Sequence, residues 1–425
     1  MRFSRLEDWL SWQETLHPTA IDLSLDRLRR TLGRLGWRTP SCPVITVAGT
    51  NGKGSSVALL NRILTGAGYR VGTFTSPHLI RYNERITIAD REISDASLLI
   101  AFERIDAARG EETLTFFEFN ALAALLVFES ANLDAIILEV GMGGRLDAVN
   151  VVDADVAIVT SIALDHVDWL GPDVETIARE KAGVFRAKRP AIFGSRTMPQ
   201  TIAAHAESIQ AQLLRLGIDF DYARGESQWT WWDARGNELD ELPPPALIGD
   251  IQFDNAAAVI QALHSLKDRL PFTREAIERG LRDVSLRGRF QIFEGPVEWI
   301  VDVAHNPAAA AALAAQLAER AVEGRSIAVC GILADKDIDS IAQQLHGSFD
   351  EWIIAGLQGG RALPPAALAE RLRAQGANVV ATADTVAAAC DFARTRAKTG
   401  DRVVAFGSFL TVGPAIEWIR ERRSA

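Results

Sequence analysis

Cysteine is scarce in this 425-residue chain, and its scarcity excludes two kinds of site. The three cysteines, Cys42, Cys330 and Cys390, lie far apart and form no Cys-x-x-Cys pair. A disulfide framework needs an even set of cysteines at suitable spacing, and a cysteine-ligated zinc site needs paired ones. We therefore expect buried free thiols in a reducing, cytoplasmic environment.

Long apolar runs and an excess of basic residues are also missing. No stretch approaches the roughly 20 apolar residues that a transmembrane helix needs. The first ten residues carry Arg, Glu and Asp rather than the apolar core of a signal peptide. The formal net charge of −10 argues against a general nucleic-acid binder. We expect neither a membrane nor a nucleic acid as partner. Because the chain as a whole is negative, any anionic ligand must be held by local groups such as loop N–H groups, Lys, Arg and Mg²⁺.

Residues 43–57 carry the most informative pattern. An apolar, β-branched run leads into Gly-Thr-Asn-Gly-Lys-Gly-Ser (49–55), which opens a helix. Glycine lets the backbone approach a ligand closely, and a helix N-terminus presents unpaired N–H groups to phosphate. A lysine charge and a hydroxyl for Mg²⁺ complete the usual phosphate loop. The segment predicts a triphosphate site with phosphate-binding residues Thr50, Asn51, Gly52, Lys53, Gly54 and Ser55.

The order of apolar segments predicts an α/β fold in two parts. Strands and helices alternate up to residue 285, and tryptophans and prolines at 220–245 indicate a small β excursion. The alternation restarts after a linker at 286–296. Such alternation is typical of a parallel sheet covered by helices. We predict an N-terminal P-loop-type ATPase domain with a mostly parallel sheet over 1–285, and a smaller Rossmann-like α/β domain over 297–425.

Polar motifs follow several predicted strands of the N-terminal domain. Ligands bind at the carboxyl ends of strands in open α/β sheets, so we expect Ser76, Glu139 and His166 near the phosphate loop. Their side chains could bind Mg²⁺, which keeps few protein ligands beside phosphate oxygens and water. Taken one at a time, each residue also has a purely structural explanation. Ser76 could be a turn residue, Glu139 a salt-bridge partner, and His166 part of a structural Asp-His pair.

Lys181 has two explanations. It stands before a glycine at the predicted end of a helix, where lysine is common, and residue chemistry alone favours that reading. Alternatively, burial lowers its pKa, and the neutral amine is carbamylated to give a carboxylate for a second Mg²⁺. In the C-terminal domain, Asp302 could accept hydrogen bonds from ribose hydroxyls or adenine, although a structural role is the alternative. Arg289 could pair with phosphate.

Eight motifs together resemble the dihydrofolate synthase/folylpolyglutamate synthase family of the Mur ligase superfamily, and the resemblance spans essentially the whole chain. In order they are Gly-Thr-Asn-Gly-Lys-Gly-Ser (49–55), Thr-Ser-Pro-His (75–78), Glu-Val-Gly-Met-Gly-Gly-Arg-Leu-Asp-Ala (139–148), Leu-Asp-His (164–166), Glu-Lys-Ala-Gly (180–183), Gly-Arg-Phe (288–290), Asp-Val-Ala-His-Asn-Pro (302–307) and Phe-Gly-Ser-Phe (406–409).

The resemblance implies a role for each matching residue. Residues Thr50 to Lys53 would hold the ATP phosphates. One Mg²⁺ would bind Ser76 and Glu139, and a second would bind His166 and carbamylated Lys181. Asn255, Arg289 and Asp302 would contact ATP, although Gly249-Asp250-Ile251-Gln252 departs from the family's Gly-x-His-Gln form. The dihydropteroate-binding segments would be Thr115, Phe116, Phe117 and Glu118 with Leu146, Asp147 and Ala148.

The implied reaction joins L-glutamate to dihydropteroate and to tetrahydrofolates. ATP would phosphorylate a carboxylate, and the glutamate amine would then attack the acyl phosphate. Either His305 or Asp302 would take the amine proton, judged from position only. The resemblance thus makes the two parts a Mur-ligase-like ATP-binding domain and a glutamate ligase domain. We also expect a monomer.

Four other functions fit parts of the pattern. A monofunctional folylpolyglutamate synthase would lack the dihydropteroate activity. A P-loop kinase or NTPase of another class would act without glutamate. We do not expect a peptidoglycan-precursor synthetase, because only 48 residues precede Gly49. A non-catalytic nucleotide-binding regulator is hard to reconcile with Glu139, His166 and Lys181.

Overall fold

The structure, a computed structural model, describes residues 2–423 and divides into two compact units. The N-terminal unit comprises the residues up to Pro77 together with 83–246 and 252–284. The C-terminal unit comprises 78–82, 247–251 and the residues from Ser285 onward. Each unit contains its own sheet.

The N-terminal unit is built on an eight-stranded sheet in the order β4-β3-β2-β5-β1-β6-β7-β8. Strands β2, β5, β1, β6, β7 and β8 are parallel, and β3 and β4 form an antiparallel hairpin at one edge. The central strands are buried along their whole length, as expected for a parallel sheet with both faces covered. The strands are β1 Val44–Ala48, β2 Val71–Phe74, β3 Ile86–Ile88, β4 Arg91–Glu92, β5 Ala135–Glu139, β6 Val156–Val159, β7 Pro190–Phe193 and β8 Gln212–Arg215.

Ten helices are described in or beside this unit. Helix α5 is buried at nearly every position and follows a capped first turn, so it forms part of the core rather than an amphipathic cover. The helices are α1 Leu6–Leu16, α2 Asp26–Leu35, α3 Lys53–Gly66, α4 Asp95–Arg109, α5 Phe116–Glu129, α6 Val167–Leu170, α7 Val174–Ala182, α8 Gln200–Ser208, α9 Ile251–Ser265 and α10 Arg274–Asp283.

The predicted β excursion is a separate three-stranded antiparallel sheet in the order β11-β10-β9. Its strands are β9 Phe220–Arg224, β10 Trp229–Asp233 and β11 Glu238–Leu242. Trp229 and Trp231 are buried on one face of the strand, while Trp232, on the opposite face, is 38% exposed. This alternation is the period of two that a half-buried strand requires.

The C-terminal unit contains a six-stranded sheet in the order β12-β13-β17-β14-β15-β16. Alternate residues of its central strand β17 enter two apolar clusters: Val404 and Phe406 enter one, and Val403 and Ala405 the other. Helices therefore cover both faces. The elements are β12 Gln291–Phe293, β13 Glu298–Asp302, α11 Pro307–Glu319, β14 Ser326–Cys330, α12 Ile338–Gln344, β15 Glu351–Ala355, α13 Pro365–Ala374, β16 Val379–Ala383, α14 Val386–Arg396, β17 Arg402–Phe406 and α15 Phe409–Arg423.

The predicted fold class is confirmed: a mostly parallel α/β unit with a β excursion, and a smaller α/β unit. Residues 286–296, expected as a linker, include β12, which pairs antiparallel with β13 because its apolar residues complete the sheet edge. Among residues 2–423, the helices are all too short or too polar to cross a membrane. The three cysteines are free thiols, and Cys330 and Cys390 are buried.

Candidate active site

The phosphate loop joins β1 to α3 and needs glycine at two positions. Gly49 has φ 144° and Gly52 has φ 89°, where side chains are disfavoured. A Cβ on Gly49 would overlap Thr160 Oγ1, and a Cβ on Gly52 would overlap Asn255 Oδ1. The loop backbone is therefore packed closely against β6 and α9, with the N-terminus of α3 immediately after it.

Residues that follow β6 hold the loop in place. The Thr50 N–H donates to Ser161 O at 2.7 Å, and Thr160 Oγ1 donates to Asn51 O at 2.6 Å. The Ala163 N–H donates to Thr50 Oγ1 at 3.0 Å. Sequence reasoning missed Thr160 and Ser161. The available signal was their position at a strand end, directly before the Leu-Asp-His motif.

Two lysine amines meet at one carbonyl of the loop. Lys53 Nζ donates to Gly49 O at 3.0 Å and to Thr50 O at 3.1 Å. Lys181 Nζ, from the last turn of α7, donates to the same Gly49 O at 2.9 Å. A second lysine so close to the phosphate-loop lysine is unfavourable unless one amine is neutral or an anion lies nearby.

Lys181 is 4% exposed, and its environment favours the neutral amine. Burial, and after it the charge of Lys53, lower the pKa of Lys181 to about 7, against the opposing effect of the carboxylates of Asp165 and Asp147. A substantial fraction of the amine is therefore unprotonated near neutral pH. A neutral lysine amine is a nucleophile.

Glu139 and Ser76 lie together at the carboxyl ends of adjacent strands β5 and β2. The Ser76 N–H donates to Glu139 Oε2 at 3.0 Å, and Glu139 is buried. In the described part of the chain, no group of three or more His, Cys, Asp or Glu side chains is placed so that it could hold a metal ion by itself. A buried carboxylate beside a serine fits Mg²⁺, which takes few protein ligands when phosphate oxygens and water supply the rest.

Asp147 is the second carboxylate linked electrostatically to the lysine pair. Its Oδ2 accepts from the Met142 N–H at 2.9 Å and its Oδ1 accepts from the Val149 N–H at 3.1 Å. Burial raises the pKa of Asp147 to about 7, against these hydrogen bonds and the charge of Lys53. Asp147 and Lys181 thus both titrate near neutrality in one buried region.

His166 begins the short helix α6 in a left-handed conformation with φ 52°. Its N–H donates to Asp165 Oδ1 at 3.0 Å, and its Nε2 lies 4.0 Å from the same oxygen. The imidazole is 31% exposed. The adjacent carboxylate orients the backbone, and the ring remains accessible to a ligand.

The residues assigned to dihydropteroate form the N-terminal turn of α5 and the segment around Asp147. Thr115 and Glu118 make a reciprocal capping box, with the Thr115 N–H donating to Glu118 Oε2 at 2.8 Å. Arg27 Nε donates to both Glu118 oxygens at 2.8 Å. Phe117 packs against Phe74 with ring centroids 5.8 Å apart. Thr115 and Glu118 are therefore occupied in shaping the turn, while Phe116 and Phe117 are partly exposed on it.

Gly141 brings the two segments together. A Cβ at this glycine would lie 2.5 Å from the Phe117 ring. Leu146 is half-buried, and Ala148 begins a buried 3₁₀ turn capped by Asp147. In the same unit, Asn255 Nδ2 donates to Gln252 Oε1 at 3.0 Å beside Gly52, which places Asn255 at the phosphate loop.

In the C-terminal unit, Asp302 ends β13 in a buried position. Its oxygens accept from the Phe290 and Ala304 N–H groups, both at 2.7 Å. Burial raises the pKa of Asp302, and the charge of Arg289 opposes this. Arg289 lies over the Phe409 ring at 6.0 Å. His305 Nδ1 contacts Val303 O at 2.7 Å, and α11 begins at Pro307 as its fixed φ predicts.

Comparisons with known proteins give the same family along nearly the whole length of this chain. Residues 47–262 match the Mur ligase middle domain, and residues 288–409 match the Mur ligase glutamate ligase domain. The dihydrofolate synthase/folylpolyglutamate synthase of Escherichia coli (strain K12) is 45% identical over 421 residues, which covers 99% of this chain and 97% of that one. The protein of the same name from Haemophilus influenzae is 40% identical, with 96% of each chain covered.

Solved structures show the same fold. The structure described as E. coli FolC in complex with DHPP and ADP has a TM-score of 0.93 at 45% identity and covers 99% of each chain. A bifunctional folylpolyglutamate synthase/dihydrofolate synthase with Mn, AMPPNP and L-glutamate bound has a TM-score of 0.90 at 43% identity and covers 98% of each chain. The chain therefore belongs to the dihydrofolate synthase/folylpolyglutamate synthase family of ATP-dependent Mur ligases.

Proposed function

We propose that this enzyme uses ATP to join L-glutamate to dihydropteroate, forming dihydrofolate, and to reduced folates, forming polyglutamates. The observation that carries the proposal is the second, buried lysine at the phosphate loop: Lys181 Nζ donates to the Gly49 carbonyl beside Lys53. The usual phosphate loop supplies a single lysine, so this amine is an addition to it. Membership of the ligase family supports the same conclusion.

The proposed reaction has two chemical steps. An oxygen of the substrate carboxylate attacks the γ-phosphorus of ATP, the bond to the β-phosphate oxygen breaks, and an acyl phosphate and ADP form. The glutamate nitrogen then attacks the acyl carbon, phosphate leaves, and the amine proton is lost. The N–H groups of residues 50–55 and the Lys53 amine would bind phosphate oxygens in both steps.

We assign the metal-binding role to Ser76 and Glu139 for one Mg²⁺ and to His166 and Lys181 for a second. Bound Mg²⁺ would supply charge neutralisation for the phosphoryl group, and these four residues would hold it. The buried Glu139 carboxylate and the accessible His166 ring are donor groups of the required types.

We further assign a carbamate to Lys181. A pKa of about 7 leaves a neutral amine available at physiological pH. Its nitrogen would form a bond to the carbon of CO₂, and a proton would pass to solvent. The product is an oxygen ligand at the end of a lysine side chain, with a negative charge close to the positive charge of Lys53.

Substrate contacts are assigned by unit. In the N-terminal unit, the pterin compound would contact Phe116, Phe117 and the segment 146–148, with Thr115 and Glu118 shaping the first turn of α5. Asn255 would contact ATP beside Gly52. In the C-terminal unit, Arg289 and Asp302 would contact ATP, and either His305 or Asp302 would accept the amine proton.

We assign ATP binding to residues 1–285 and glutamate ligation to 297–425, with 286–296 connecting them. The two family matches, at 47–262 and 288–409, support this division. We also assign the enzyme to the cytoplasm, since its cysteines are free thiols.

Product analysis tests the function. Purified enzyme is incubated with ATP, Mg²⁺ and L-glutamate, with either dihydropteroate or a tetrahydrofolate, and products are followed by mass. We expect one added glutamate residue on dihydropteroate and one or more on the folate. If only the folate is extended, the enzyme is a monofunctional folylpolyglutamate synthase. Phosphate release that does not rise when glutamate is added would exclude the ligase function.

A further inference from the structure

A cavity of about 750 Å³ lies in the N-terminal unit at the sheet edge opposite the phosphate loop. It is bounded by Arg70, which precedes β2, by the β3–β4 hairpin, by α4 and by the C-terminal end of α5. The phosphate loop follows the end of β1, whereas this cavity lies where β2 begins. Its volume falls within the range of about 300–1,000 Å³ that is usual for small-molecule sites.

Three arginines from separate elements line this cavity: Arg70, Arg91 and Arg104. Arg70 Nε donates to Ala131 O at 2.8 Å, which holds its guanidinium across the end of α5. Arg104 Nη2 lies 3.9 Å from Glu129 Oε2, which is a long ion pair between exposed groups. Arg91, on β4, is exposed, and Glu92 is the one acid among the described lining residues. The cavity therefore carries a local positive charge in a chain whose net charge is −10.

The rest of the lining is apolar. Ile88 and Leu126 contribute to the floor, and Ile100 on α4 is 61% exposed at the rim. A single exposed isoleucine is ordinary on a protein surface. Here it adjoins the half-buried Ile88, the buried Leu126 and three guanidinium groups. This combination suits a ligand with an apolar body and acidic groups.

The hairpin wall of the cavity is preformed. Ala89 and Asp90, at its turn, have φ 50° and 65°, a conformation in which alanine is disfavoured. The turn is held from α3, because Asn61 Nδ2 donates to Asp90 Oδ1 and Arg62 donates to Asp90 Oδ2 at 3.1 Å. A ligand would meet an ordered wall and would not need to order it.

We propose that this cavity binds an amphipathic polycarboxylate, with its apolar body on Ile88, Leu126 and Ile100 and its carboxylates on Arg70, Arg91 and Arg104. Folates with an oligo-γ-glutamyl tail belong to this class, and choosing them as the ligand rests on the proposed function. Each added glutamate leaves one more carboxylate on the tail. Affinity at the cavity therefore increases with tail length and decreases with added salt.

The test uses folyl-tri-γ-glutamate as the probe, without ATP, and hydrogen–deuterium exchange as the readout. The variant is Arg91→Gln with Arg104→Gln, and the matched control is Arg29→Gln on α2, an exposed arginine outside the cavity. We expect the probe to slow exchange in residues 86–104 of the parent and the control. In the double variant this protection requires at least tenfold more probe, while the rate of glutamate ligation is unchanged.

Three outcomes overturn the proposal: no protection of residues 86–104 in the parent, equal protection in the double variant, or equal protection by inorganic phosphate alone. The last would show a simple anion site. Far-UV circular dichroism of each variant confirms that it is folded. Loss of amide product with retained protection would contradict the proposed function and leave the cavity proposal standing, so the two failures are distinguishable.

Discussion

At the residue scale, Lys181 combines burial with a position at the phosphate loop. Its amine donates to Gly49 O and lies beside a second cation, so the folded state disfavours its protonated form. Asp147, in the same region, has its pKa raised to about 7 by burial. The two groups favour neutrality for the same physical reason, which is removal from water. Such perturbed groups are frequent at active sites.

Lys181→Met is expected to abolish ligation while stabilising the fold. We expect activity to fall on the order of 100-fold or more, since the group that we assign to the charged phosphoryl centre is lost. Between pH 7 and 10.5 the unfolded lysine binds more protons than the folded one, so this group makes the parent more stable as pH rises and costs most below pH 7. The stability advantage of the variant should therefore be greatest near pH 7 and shrink by pH 9.

Urea unfolding at both pH values, in buffer free of bicarbonate, measures this difference. Lys267→Met, at an exposed lysine, is the control and should change neither activity nor the pH dependence. Intact mass in bicarbonate buffer should show the carbamate on the parent and not on Lys181→Met. An active parent with an unmodified Lys181 would contradict the assigned carbamate.

Gly52→Ala tests the close packing of the phosphate loop. The new Cβ would overlap Asn255 Oδ1 at a residue with φ 89°. We expect ATP affinity to fall at least about tenfold, because moving the loop by even 1 Å misplaces its N–H groups. Gly236→Ala is the matched control, since Gly236 has φ 85° with no neighbour within 4 Å of the added Cβ. Equal losses of ATP affinity in the two variants, measured by calorimetry, would show that overlap with Asn255 is not what lowers the affinity.

At the element scale, the start of α5 depends on a segment distant in sequence. Arg27, at the start of α2, donates to Asp22 Oδ2 at 2.7 Å and to both oxygens of Glu118. Glu118 in turn caps α5 through the Thr115 N–H. The segment between α1 and α2 is thus tied to the turn that carries Phe116 and Phe117. A buried pair of this kind, in which one N–H is shared between both carboxylate oxygens, costs more to break than an exposed pair.

Glu118→Gln is expected to lower the free energy of unfolding by about 3 kcal/mol, because it leaves the Arg27 guanidinium half-paired in a buried position. The Michaelis constant for dihydropteroate should rise, while that for ATP should change little. Glu112→Gln is the control: it removes ion pairs with the exposed Arg30 and Arg34, for which little destabilisation is expected. Equal destabilisation of the two variants in urea would refute the special role of the Arg27 pair.

At the scale of the whole molecule, each unit has its own sheet and its own buried side chains. In the C-terminal unit, Phe406 stacks on Phe349 and contacts Trp352 with ring centroids 5.5 and 5.7 Å apart. All three belong to one apolar cluster of that unit. Two units with separate cores need not unfold together, so a single free energy of unfolding does not describe such a chain.

Phe406→Ala is expected to destabilise the C-terminal unit by about 3–5 kcal/mol through lost burial and a cavity. Hydrogen exchange of residues 326–330 and 402–406 should become much faster, while residues 44–48 and 135–139 keep their protection. Phe74→Ala in the N-terminal core should give the opposite pattern. Uniform loss of protection in either variant would show that the units unfold as one.

Local patterns in the sequence predicted most elements of the fold. The buried strands β1, β5 and β6 lie where apolar runs end in glycine or polar residues. The helix predicted over 174–182 is present as Val174–Ala182. Two helical stretches are interrupted. Residues 5–36, which the spacing of apolar residues predicts to be helical, are interrupted between Leu16 and Asp26. Residues 253–283, also predicted to be helical, are interrupted between Ser265 and Arg274, a segment that contains Pro271. Strand β8 was missed because its four residues carry too little pattern to stand out.

The sequence by itself determined the family, the phosphate loop and the strand ends that carry polar residues, because order and spacing of residue types along the chain contain that information. Only the tertiary structure decided that Lys53 and Lys181 share the Gly49 carbonyl, that Arg27 holds Glu118, and that three arginines line one cavity. These contacts join residues far apart in the chain. The pKa of Lys181 likewise depends on how completely the folded protein removes its amine from water.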